Sequence, residues 1–107
     1  MKNWVLCFLL LFGIGHANTF LMAALDEQDR QVMEKASPRT LDRMDRSEPL
    51  TMSDVIKLSQ AGVSDDAILQ YMKETQSSYS LSQAQIRRLQ DGGVSQRVVN
   101  FMIDSGR

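Results

Sequence analysis

The order of apolar and polar side chains divides the chain into three stretches. Residues 4–14, WVLCFLLLFGI, form an almost unbroken hydrocarbon run. In residues 26–49, DEQDRQVMEKASPRTLDRMDRSEP, charge dominates, and only Val32, Met33, Leu41 and Met44 are large and apolar. From Leu50 onward apolar residues return at spacings of three and four, which place them on one face of an α-helix.

The third stretch is written twice. Displaced by 31 residues, LTMSDVIKLSQAGVSDDAILQYMKET from Leu50 lies over LSQAQIRRLQDGGVSQRVVNFMIDSG from Leu81 without a gap. Each copy reads as helix, tight turn, helix, with helices predicted over residues 52–61, 65–75, 83–92 and 96–104. Thr51 is followed three residues later by Asp54, and Ser82 by Gln85. That is the spacing of a capping box, which satisfies unpaired N–H groups at a helix start. Gly62 and Gly93 fall where each first helix must stop and the backbone turn left-handed, which glycine does without a Cβ clash. Ser64 and Ser95 are placed to cap the second helices. Helices of about ten residues are not stable alone. The four are therefore expected to bury Leu50, Leu58, Val63, Leu81, Leu89 and Val94 between them. The fold class this predicts is all-α: two tandem helical hairpins, residues 50–78 and 79–107, following a signal peptide and a charged linker. All the matched caps and apolar stripes lie in residues 50–107, so this part is expected to fold without the residues before it.

LTMSDVIKLSQAGVSDDAILQYM and LSQAQIRRLQDGGVSQRVVNFMI resemble a tandem helical-hairpin repeat of small bacterial envelope and exported proteins. In that repeat an "aGVsd" turn joins helices that end in an apolar Ile/Met pair. The resemblance covers residues 50–106 and implies a helical fold. It carries no activity and no catalytic residue onto this chain.

The first stretch reads as an address. One positive charge, Lys2, precedes the apolar run, and Gly15, His16 and Ala17 follow it, with small residues at both positions a signal peptidase reads. The expected signal peptide is residues 1–17, cut between Ala17 and Asn18. An uncleaved anchor is the alternative, since apolar character continues to Leu25 and 22 residues can cross a bilayer core of ~30 Å at ~1.5 Å per residue. With Lys2 on one side and Asp26, Glu27 and Asp29 on the other, the N-terminus stays in the cytoplasm. Both readings export the remainder, to the periplasm or medium, or to a membrane-anchored position outside the cytoplasm. Acylation at Cys7 is rejected because Leu6 stands where lipoprotein processing needs a small residue.

Residues 18–49 are expected to form a charged, largely flexible tether. Five bases face seven acids in residues 26–49, a net charge of −2. The apolar residues are too few for a wide helix face, and Pro38 and Pro49 punctuate the stretch.

Composition narrows the chemistry. The formal charge of −1 and pI near 5.7 oppose general nucleic-acid binding, which needs a basic field. Copy two has helix-turn-helix spacing, with Ser95, Gln96 and Arg97 at the start of the second helix and Arg87 and Arg88 before it. Asp65 and Asp66 occupy the same place in copy one and would repel phosphate, so nucleic acid is not an expected partner. The single cysteine, histidine and tryptophan, Cys7, His16 and Trp4, all lie ahead of the cleavage position. Catalysis by His or Cys and disulfides are thereby excluded from the mature chain. Asp65 and Asp66 are adjacent and point apart on a helix, where their charge suits the first turn. Neither a metal-ligand pattern nor a cofactor motif is read, and the methionines are best explained as core filler.

What remains is interaction. Copy one carries four acids and two bases, net −2, and copy two four bases and two acids, net +2. Ile56 in copy one and Phe101 in copy two are apolar residues beyond the shared stripe. With Arg87, Arg88 and Arg97 they form the candidate interaction surface. The expected function is an exported, non-enzymatic helical interaction or structural module of the cell envelope. Its partner is a protein or a second copy, with the membrane involved only if the signal segment is retained.

Overall fold

The computed structural model describes residues 25–107, and the expected signal segment, with Ala17 and Asn18, lies outside the described residues. Six helices follow in order: α1 (Glu27–Ala36), α2 (Pro38–Asp45), α3 (Met52–Gln60), α4 (Asp65–Glu74), α5 (Gln83–Asp91) and α6 (Gln96–Ser105). Local chemistry explains where each begins. Asp26 Oδ1 accepts the N–H of Asp29 at 2.7 Å and caps α1. Proline opens α2, at the position where no N–H donor is needed. Thr51 with Asp54, and Ser82 with Gln85, make reciprocal capping boxes on α3 and α5. Ser64 and Ser95 accept from Ala67 and Val98 on α4 and α6.

The ends are equally explicit. Gly62 and Gly93 have φ of 90° and 92°, and the next N–H returns to the helix, Val63 to Leu58 O and Val94 to Leu89 O, each at 3.1 Å. α2 and α4 close the same way through residues that are not glycine, Ser47 at φ 58° and Gln76 at φ 51°. There the returning bonds run from Glu48 N to Arg43 O and from Ser77 N to Met72 O.

Equivalent helices of the two copies pack on each other, α4 against α6. Their apolar faces put Ile68, Met72, Val98, Val99 and Met102 out of contact with water. α3 folds back on α4 and α5 on α6. Gly92, the counterpart of Ala61, sits in a seam between the copies. A Cβ there would stand 3.0 Å from Ile56 Cγ2, and Gln60 Nε2 donates to Gly92 O at 3.2 Å.

The expectation of four helices behind a charged linker is corrected, because residues in that linker form α1 and α2. Three of its four large apolar residues, Met33, Leu41 and Met44, are buried. Three side chains make a stripe too narrow to show as a wide amphipathic face, and polar contacts complete the docking. Arg30 grips Asp45 with two hydrogen bonds, 2.9 and 3.2 Å, tying α1 to α2. Pro38, which reads as a break, starts a helix.

Candidate functional site

The densest polar chemistry in the described residues is the joint between the α1–α2 hairpin and copy one. Ser37 and Thr40 share a hydrogen bond of 2.7 Å, and Thr40 Oγ1 donates to Asp54 Oδ1 at 2.6 Å. The other carboxylate oxygen accepts the Thr51 N–H at 2.9 Å and lies 2.8 Å from Arg43 Nε. The Nε–H is not aimed along that line, so the contact is an ion pair without hydrogen-bond geometry. Thr40 is fully buried and Asp54 nearly so. Burial alone would push the Asp54 carboxyl up, but the donors from Thr40 and Thr51 and the Arg43 charge outweigh it. The carboxyl is held below its ordinary value and stays ionised. Both of its oxygens are engaged by protein donors, so its role is to dock α2 on α3.

Two tyrosines extend the joint. Tyr71 of α4 donates to Glu48 O at 2.6 Å, and Tyr79 donates to Leu50 O at 2.8 Å. Burial first, and then the Glu48 charge, push the Tyr71 hydroxyl up to about 12, so it remains a donor. Burial likewise raises Tyr79. The end of α6 is stitched to the connection between the copies, with Ser78 Oγ donating to Ser105 O and the Tyr79 N–H to Ser105 Oγ.

The surface residues singled out in the sequence do not form one continuous patch. Ile56 and Phe101 are half-buried and pack against the core, Ile56 in the seam beside Gly92. Arg97 pairs with Asp66 at 2.7 Å within the chain, joining equivalent positions of the two copies. Both side chains are mostly exposed, so that pair contributes only ~0–1 kcal/mol. Arg87 and Arg88 are exposed on α5 and form no ion pair among the described residues.

The described residues hold no cluster of three His, Cys, Asp or Glu side chains suited to a metal, and no helix long and apolar enough to cross a membrane. Shallow depressions among the described residues include two that bear on these surfaces. One, of about 180 Å³, is lined by Tyr79, Ser80, Leu81, Ile103, Gly106 and Arg107. The other lies along α1 beside Val32, an exposed large apolar side chain. The docking role of Asp54 is not legible in the sequence, because its partners Thr40 and Arg43 lie 14 and 11 residues away in another helix. The capping-box spacing predicts only its local bond to Thr51. Compared with known protein families, curated proteins and solved structures, the chain finds no match.

Proposed function

We propose that this chain works outside the cytoplasm as a non-enzymatic helical interaction module of the cell envelope, engaging a protein partner. The observation that carries the reading is the apolar surface left on copy two. Leu81 and Ile103 line one depression and, with Ile86, are only half-buried, and Arg87 and Arg88 carry charge without an intramolecular partner among the described residues. Half-exposed aliphatic residues with unpaired cations beside them suit recognition of a protein surface. Export rests on the lysine, apolar run and small residues of positions 1–17. The test combines cell fractionation with intact mass and photo-crosslinking from position 57, the exposed Lys57 of α3, and position 86. A chain recovered outside the cytoplasm, beginning at Asn18 and cross-linked to a protein, is the expected result. A cytoplasmic chain retaining Met1, with no cross-link from either position, would contradict it. Retention of Met1 in the membrane fraction would favour the anchored form, for which the 22-residue apolar stretch of residues 4–25 speaks.

A further inference from the structure

The 31-residue repeat makes the chain its own comparison. Leu50 and Leu81 each precede an N-cap, and Val55 and Ile86 are each the fourth residue of the helix that follows. Both pairs have the placement of a hydrophobic staple. Leu50 and Val55 are 3% and 0% exposed, whereas Leu81 and Ile86 are only half-buried. The difference tracks what packs above them. On copy one, Thr40 and Arg43 of α2 reach Asp54, and Tyr79 reaches the Leu50 carbonyl. On copy two the side chains of Ser82 and Gln85 bond only within their own capping box, and no ion pair reaches α5 among the described residues. One copy of the face is covered and the other is open.

The open face also has the opposite hydrogen-bonding character. Asp54 offers only acceptors, and it receives Thr40 and Arg43. Its counterpart Gln85 uses Oε1 on the Ser82 N–H at 2.9 Å, which leaves its amide N–H groups as donors. Arg88, three residues after Gln85 and on the same side of α5, is exposed. The depression of about 180 Å³ shares Leu81 with the face and has Arg107 in its lining. A face of Leu81, Ile86 and Ile103 bordered by donors and cations calls for hydrocarbon flanked by carboxylates. We infer that the Leu81–Ile86 face of α5 docks an acidic amphipathic helix of a partner protein, seated as α2 is seated on α3, with a carboxylate where α2 presents Arg43.

This inference rests on the interaction-module reading and names its partner. It is tested on the full chain with two fluorescent peptides read by anisotropy. One is the chain's own residues 37–49; the other carries Arg39→Glu, Arg43→Glu and Arg46→Glu. The acidic peptide should bind at least about tenfold more tightly than the native one, a difference of about 1.4 kcal/mol. Gln85→Asp keeps the capping box, since Asp54 serves in that role in copy one, and it should invert the order of the two peptides. Ile86→Asp should abolish binding of both, with circular dichroism confirming that the helices persist. Equal binding of the two peptides, or binding that ignores Gln85→Asp, would overturn the inference. A peptide-free dimer abolished by Ile86→Asp would assign the face to a second copy and overturn it as well. Failure of both peptides alongside cross-links from position 57 would remove this face and leave the module reading standing.

Discussion

Asp54 is the residue whose loss should be felt across the most sequence. In Asp54→Ala the Thr40 hydroxyl and the Thr51 N–H each lose their acceptor, and Arg43 loses its nearer carboxylate and keeps only Glu48 at 3.8 Å. Thr40 is fully buried and cannot turn to water, so its loss is close to the full cost of stranding a buried donor, about 1–3 kcal/mol, less whatever Ser37 recovers. Arg43 keeps 27% of its side chain exposed and rehydrates in part, which places the ion-pair loss below the range for a fully buried pair. Together these give about 3 kcal/mol, or a fall in Tm of roughly 12–24 °C for a domain of this size. Asp54→Asn retains an acceptor for Thr51 and should cost about half as much. Asp65→Ala, on a more exposed first-turn aspartate with no side-chain bond to another helix, is the control, and should change stability by less than about 0.5 kcal/mol. Thermal and urea melts of the three variants measure the difference. The sign with pH follows from the depressed folded value of Asp54. Its ionisation-linked contribution is present above the unfolded pKa of about 3.9 and fades as pH falls through the folded value, so the gap between wild type and Asp54→Ala should narrow as pH falls below about 4. An Asp54→Ala loss no larger than that of Asp65→Ala, or unchanged from pH 7 to pH 3, would refute the reasoning.

Gly62→Ala and Gly93→Ala should each cost about 1 kcal/mol by denaturant melt. A Cβ would meet nothing within 4 Å at either site, so the cost is purely conformational and asparagine should recover part of it. Gly106→Ala is a different case, because its Cβ would clash with the Tyr79 carbonyl oxygen. It should loosen the end of α6 and raise amide exchange at Tyr79, whereas a silent variant would place that contact elsewhere. Tyr79→Phe removes the bond to Leu50 O and should cost about 1 kcal/mol in the same melts. Asp66→Asn should change stability by ~0–1 kcal/mol, less at high salt, since the pair with Arg97 is exposed.

What the sequence makes legible here is chemistry confined to a few adjacent residues. Thr51, Ser82, Ser64 and Ser95 carry capping spacings in the sequence and capping hydrogen bonds in the structure. Gly62 and Gly93 stand at positive φ where the repeat places its turns. Ser47 and Gln76 close helices in the same region of φ without being glycine, and no residue type announces them. α1 and α2 were hidden for a different reason. Met33, Leu41 and Met44 are buried in the same core cluster as residues of both copies, and α2 docks through a carboxylate that a local reading assigns to a cap. The open face of α5 is half legible: the change from Asp54 to Gln85 is visible in the repeat, but what covers copy one is not.

The central claim is that residues 27–45 belong to the folded unit and cover copy one, while the matching face of copy two stays open. Native-state hydrogen exchange on the full chain measures both halves at once. The amides of Met33, Leu41 and Met44 should exchange together with those of Val55 and Leu58, and Asp54→Ala should release the first three well ahead of α4 and α6. Exchange of residues 27–45 at the rate of unstructured chain, with α3–α6 fully protected, would show a tether beside a self-sufficient repeat and contradict the account.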